Sequence, residues 1–287
     1  MTSRFLPPYH ICFLGTAGSR FPVARQLRAS GGIWISLEEE HWVVDPGPGS
    51  LVQIHQKIPD GNPEELAGII LTHRHIDHSS DLNVLAEAMT RGGREIRGHV
   101  ILPEDAVFSP EPVLFGYLRE KIATMNFWKE NVAFPLGKKG WIRGTRLIHH
   151  GVDCFGFRVY HPVTGHWGLV SDTAFFKELP SFFRGCRLLI VNVTLEKPSE
   201  LLDHLSLEEA YALIEMVAPE MALITHMGIR ILEKGPENII PSNQKVTYPA
   251  EDGMIIDLQN IRILRPAMFE SENFFPFDRG NQEKAFA

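Results

Sequence analysis

The sequence predicts a layered α/β fold with its chemistry at strand ends, on three observations. Continuous apolar runs of strand length, AGIILT and RLLIVNVT, read as strands buried on both faces. Helical periodicity follows such runs: DLNVLAEAM places Leu82, Leu85, Ala86 and Met89 at i, i+3, i+4 and i+7. Between AGIILT and that helix, LTHRHIDHSS crowds His73, His75, Asp77 and His78 into one loop, where layered folds collect reactive groups.

The elements run as follows. ICFLG is a short apolar strand stopped by glycine. GGIWISL and WVVDPG form a strand pair with EEEH as the exposed connection. AGIILT, the histidine loop and the helix from Leu82 come next. The segment 103–135, with LFGYLREKIATMNFW, is predicted to be helical and aromatic-rich: core by default, otherwise a lid or a dimer insert. GFRVYHPVTGHWGLVSD reads as a hairpin turning around Pro162 to Gly165. After the strand RLLIVNVT, SLEEAYALIEMVAP opens with Ser206 and carries Glu209 three residues on, a capping box. EMALITH is a short strand ending in histidine, and DGMIIDL the expected last strand. One domain over 1–260 is expected, with a C-terminal tail over 261–287 that includes FFPFDRGNQEKAFA.

Bulk properties narrow the function. A net charge of −7 argues against a broad nucleic-acid-coating surface. Two basic stretches, RGGREIR and KKGWIRGTR, are solvated faces by default and phosphate contacts otherwise. No apolar run approaches the roughly 20 residues of a bilayer span. Pro7, Pro8 and His10 break the N-terminus, against a secretory signal, so a cytoplasmic location is expected. Cys12, Cys154 and Cys186 are odd in number and far apart, which fits buried thiols in a reducing compartment.

Neutral imidazole and ionised carboxylate are ligands for zinc and similar ions. Two histidines one residue apart in extended chain can share an ion. Asp77 and His78, at the turn into the helix, point elsewhere and serve a second. Four donors in six residues cannot easily close one tetrahedral site, so the pattern H-x-H-x-D-H suggests two adjacent ions completed from distant chain. Three strand ends supply candidates: His150 before GVDCFGF, Asp172 closing WGLVSD and His226 closing ALITH.

THRHIDH resembles the signature of the metallo-β-lactamase superfamily. FLGTAGSRFP resembles its opening glycine-rich strand and turn, WVVDPGPG its second strand with Asp45 at the end, SDT its bridging-aspartate motif and ITHMG its last-histidine motif. HGVDCFGFRV resembles the third-histidine segment of the ribonuclease Z and cyclic phosphodiesterase branch. The resemblance implies a four-layer αβ/βα sandwich, two mostly antiparallel or mixed sheets flanked by helices. It implies that His73, His75 and His150 hold one ion, that Asp77, His78 and His226 hold the other, and that Asp172 bridges. Counting back from Gly156, the branch pattern selects His150 over His149, which in an extended strand would face the other way. In DHLSLEE, His204 matches a histidine that serves as general acid or phosphate contact. His204 and Asp77 are the expected catalytic residues.

Two divalent ions, zinc with manganese or iron as alternatives, would sit roughly 3.5–4 Å apart and hold hydroxide at neutral pH. That favours attack on a phosphodiester, with His204 giving the leaving oxygen a proton. Asp81 either orients a ligand imidazole or starts the helix. Arg20, Arg25 or Arg28 is a candidate phosphate contact. GTAGSRF lacks the dinucleotide pattern G-x-G-x-x-G, and its glycines are read as letting backbone pass near the metals. Bacterial ribonuclease Z carries a long tRNA-gripping insertion between its third histidine and bridging aspartate, whereas His150 to Asp172 leaves room for one hairpin. The expected substrate is therefore a small, in one form cyclic, phosphodiester. RNA end-processing, lactone or ester hydrolysis, and metal binding without turnover are the alternatives. No membrane partner is expected; a homodimer is compatible with the resemblance.

Overall fold

The computed structural model describes residues 6–264. Fifteen strands form two sheets. They are β1 (Tyr9–Phe13), β2 (Ile33–Leu37), β3 (Glu40–Val44), β4 (Leu66–Ile70), β5 (Arg97–Leu102), β6 (Ile122–Phe127), β7 (Ala133–Leu136) and β8 (Gly140–Leu147). The rest are β9 (Cys154–His161), β10 (Gly165–Val170), β11 (Leu188–Asn192), β12 (Met221–Thr225), β13 (Thr247–Pro249), β14 (Ile255–Asp257) and β15 (Arg262–Leu264). One sheet has the order β15-β14-β1-β2-β3-β4-β5-β6, the other β13-β12-β11-β10-β9-β8-β7. Both are mixed. In the first, β3 to β6 run parallel and the remaining pairs antiparallel; in the second, β10 to β13 run parallel.

Period-two alternation divides each strand between two cores. Along β1, Ile11 and Phe13 point between the sheets, where they meet Phe157, Trp167 and Ile190, while Cys12 belongs to a second core. That second core packs Trp34, Val43 and Ile69 against Leu82, Leu85, Ala86 and Met89 of the helix Leu82–Met89. A third core seals the outer face of the other sheet with the helix Leu207–Val217. Strands covered on both faces explain the unbroken apolar runs of β4 and β11. All three cysteines are buried and unpaired, as their isolation in the sequence predicts.

The helical reading of 103–135 is corrected. Only Asp105–Phe108 and Gly116–Arg119 are helical; IATMNF is β6, the edge strand parallel to β5. Its Ile122 packs inward, and Thr124 and Met125 bond in register with His99 and Val100, so sheet pairing overrides the residues' helical compatibility. DGMIIDL is not the final strand either, since β15 pairs with β14 at the sheet edge. The rest of the expected tail lies outside the described residues. The basic stretches are structural or surface features: Arg91 meets Glu65 and Glu95, Arg97 bonds backbone carbonyls, and Arg146 pairs with Asp153 at 2.7 Å. Among the described residues no helix is long and apolar enough to cross a membrane.

Candidate metal centre

Both sheets deliver their polar residues to one rim. Asp45 follows β3, the THRHIDH loop follows β4, His149 follows β8, Asp172 follows β10, Thr194 follows β11 and His226 follows β12. In β3, β4 and β10 to β12 these are the carboxyl ends of parallel strands, where helices and loops leave room for a site. Asp45, His150 and His226 adopt left-handed backbone, with φ of 47°, 43° and 57°. Non-glycine residues pay for that conformation, and such strain concentrates at functional sites.

Four groups of three potential donors form among the described residues, one of them His73, His78 and Asp172, and two frame the centre. His73, His75 and His149 converge in one, with His75 Nδ1 3.0 Å from His149 Nε2. Asp77, His78 and His226 converge in the other; His226 Nε2 lies 3.4 Å from Asp77 Oδ2 and 3.0 Å from His78 Nε2. Asp172 stands between them. Its Oδ2 is 3.7 Å from His149 Nε2 and 3.6 Å from His78 Nε2, and its Oδ1 is 3.4 Å from His226 Nδ1. Tetrahedral zinc with bonds of about 2.0–2.1 Å spaces its donors by roughly 3.3 Å, so these separations fit. His73 Nε2 adds a sharper test. It is buried without a hydrogen-bond partner, an arrangement that costs free energy unless a cation takes the lone pair.

Of the two neighbouring histidines, His149 stands in the group with His73 and His75. The chain leaves β8 at Leu147 and turns, Val152 donating to the His149 carbonyl, so the alternation of an extended strand does not apply. His149 is buried in the triad; His150 sits half out at the rim, its backbone N–H donating to Asp203 Oδ2 at 2.7 Å. His150 joins another group, with His149 and His204. His204 Nδ1 lies 3.6 Å from Asp172 Oδ2. The capping box of Ser206 and Glu209 fixes the start of the helix just beyond it.

Burial lowers the pKa values of His73, His75 and His149, the last two to about 4, so all three are neutral donors at pH 7. Burial alone would raise the pKa values of Asp77 and Asp172, but nearby imidazoles outweigh it and hold both ionised. Burial also lowers His204, against the pull of Asp172.

The supporting carboxylate is Asp45. Its Oδ2 lies 3.0 Å from His78 Nδ1 and accepts from Thr72 Oγ1, while its Oδ1 accepts from the Thr72 N–H. Holding Nδ1 in this way turns Nε2 of His78 toward the centre. Asp81 does something else: its Oδ2 accepts from Leu51 N–H in the first turn of the helix Ser50–Lys57. Asn192 Nδ2 donates to Asp172 Oδ1 at 2.8 Å, a support that no motif signalled. Gly18 justifies the reading of the glycine-rich turn, because a Cβ there would lie 2.3 Å from His226 Nδ1. Beside the centre opens a cavity of about 530 Å³, lined by His75, His150 and His204 on one side and by Arg20, Phe21 and Arg230 on another; Arg25 and Arg28 are not among its walls.

A sandwich with donors from both sheets meeting at one rim defines a metallo-β-lactamase-type hydrolase. A family described as "Beta-lactamase superfamily domain" matches residues 41–227, and the chain belongs to that superfamily of metal-dependent hydrolases. It is 30% identical over 259 residues to "Uncharacterized protein MJ1374" of Methanocaldococcus jannaschii, covering 87% of this chain and 95% of that protein. Solved structures share the fold. The metallo-beta-lactamase fold protein YhfI from Bacillus subtilis aligns with a TM-score of 0.70 at 21% identity, covering 87% of this chain and 99% of its own. The short form of human tRNase Z aligns at 0.66 and 17%, and yeast PDE1 at 0.62 and 10%, with the same coverage of both chains.

Proposed function

We propose that the protein is a dinuclear-metal phosphodiesterase acting on a small phosphodiester, linear or cyclic. His73, His75 and His149 would hold one ion and Asp77, His78 and His226 the second, with Asp172 available to either set. Bound ions would supply Lewis acidity toward a phosphoryl oxygen and a water of lowered pKa. The protein's own part is positioning and proton transfer. Asp45 fixes the tautomer of His78, Asn192 fixes Asp172, and His204 delivers a proton to the leaving oxygen. Ionised Asp77 and Asp172 serve as ligands rather than bases.

The observation that carries this reading is the place of His204. It lies beside Asp172 and also lines the cavity of about 530 Å³, so an imidazole able to relay a proton borders both the donor set and the space a leaving group would fill. A cavity in the range of about 300–1,000 Å³ suits a small ligand. The connection from β9 to β10 spans only Pro162 to Thr164, which supports a small ester over a gripped tRNA. Human tRNase Z, similar in fold, keeps RNA processing as the second reading.

Hydrolysis of bis(p-nitrophenyl) phosphate by protein loaded with Zn²⁺ or Mn²⁺ tests the proposal. Turnover is expected. Two bound metals with no turnover would leave a binding protein, and a lactone hydrolysed far faster than any phosphodiester would overturn the substrate class. Precursor-tRNA cleavage at low salt would favour the second reading.

A further inference from the structure

The cavity carries more than the hydrolase reading uses. Arg20 begins the helix Arg20–Arg25 and Arg230 lies in the helix Ile229–Lys234; both are exposed and both line the cavity. Among the described residues neither guanidinium has a hydrogen-bond or carboxylate partner. Other exposed arginines also lack a carboxylate partner, but Arg20 and Arg230 are the two that line this cavity. The cavity's acidic wall residue does not offset them: Glu196 already accepts from Lys234 Nζ at 3.2 Å.

The remaining wall is apolar and open. Phe21 is 59% exposed and Leu202 43%. An uncovered ring beside free guanidinium groups is a stacking surface for a base next to a phosphate site. His75 and His204 belong to the donor set and its rim, so Arg20 and Arg230, which line the same cavity, are available to a part of the substrate outside the reacting group.

We infer that the substrate is a nucleotide phosphodiester carrying a second phosphate outside the reacting one, which Arg20 and Arg230 hold while the base lies against Phe21. The inference takes the reacting diester from the proposed function; the second-phosphate site stands on the cavity itself.

Calorimetric titration of adenosine 3′,5′-bisphosphate, 3′-AMP and 5′-AMP into zinc-loaded protein separates the two. The bisphosphate should bind at least about tenfold more tightly than either monophosphate, and the advantage should shrink as added salt screens the exposed guanidinium groups. Arg20→Ala with Arg230→Ala should bring the ratio toward one, and the paired lysine substitutions should restore part of it. Equal affinities in the unaltered protein, or a preference that survives the double alanine substitution, would overturn the inference. Ribose 1,5-bisphosphate binding as tightly as the adenosine compound would overturn the base contact. Turnover of bis(p-nitrophenyl) phosphate without bisphosphate preference sinks this inference and spares the phosphodiesterase; the reverse result does the opposite.

Discussion

His149 and His150 show how one backbone turn assigns chemistry to one of two identical neighbours. The motif count selects His150, and strand alternation agrees, but both arguments assume extended chain through the pair. Left-handed backbone at His150 breaks that assumption and swings its ring to the rim. The expected consequence is measurable. His149→Ala should cost one of two zinc equivalents by metal analysis, since His73 and His75 are left with two imidazoles between them. His150→Ala should keep both equivalents. The opposite pattern would return the ligand role to His150. Gly18→Ala offers a second check, because the new methyl must displace the His226 ring or its backbone. Weakened zinc binding is expected from a residue that donates nothing itself, and unchanged zinc affinity would refute that close approach. The convergence of His73, His75, Asp77, His78, Asp172 and His226 was readable because their residue types recur at strand ends that meet on one rim. Asn192 was not, since an amide in an apolar run has many uses until its neighbour is known.

Strands and helices were readable where the pattern is local, and misread where pairing decides. The helix Leu207–Val217 announces itself through Ser206 and Glu209, and both reciprocal cap bonds form, Ser206 N–H donating to Glu209 Oε2 at 2.9 Å. Ser206→Ala should destabilise the protein by about 1 kcal/mol in urea. It should also lower turnover, because the cap anchors the chain just after His204. Lost stability with full activity would separate the helix start from the centre. By contrast, IATMNF becomes a strand only because β5 offers it an edge, which no window of sequence reveals. The antiparallel strands β1, β2 and β3 carry a pH response of their own. Ser36 Oγ accepts from the Trp34 indole and lies 3.3 Å from His10 Nε2 and 3.0 Å from His41 Nδ1. Burial lowers the pKa values of both imidazoles from 6.5. Above that value both folded and unfolded forms are neutral and no penalty exists. As pH falls below it, the unfolded chain takes up protons that the folded chain refuses, and stability declines until the folded imidazoles charge. His10→Gln should flatten the loss of stability that sets in as pH falls below 6.5 in urea titrations. An unchanged pH slope would show that His10 is not buried neutral.

The order of the sheets was the least readable feature, because β1 pairs with β14 across nearly the whole chain. That long-range closure has an energetic counterpart at the rim. His73, His75, Asp77 and His78 descend from one sheet, whereas His149, Asp172 and His226 descend from the other. Without cations, the rim holds His73 Nε2 buried with no hydrogen-bond partner, so the two sheets meet there at a cost. Ions held by donors from both sides would tie the sheets together and bind the unfolded chain poorly. Each site filled at 100 times its Kd then adds about 2.7 kcal/mol to the folded state. For a chain of this size each kcal/mol moves the melting temperature by roughly 2–4 °C, so chelation should lower it by roughly 5 °C or more. Calorimetric scans after dialysis against a chelator, and again after zinc is restored, measure that shift. Asp172→Asn, which removes the charge between the triads, should lose most of it. Stoichiometric zinc uptake with no change in melting temperature would mean that the ions sit on one sheet alone, and the shared centre would have to be abandoned.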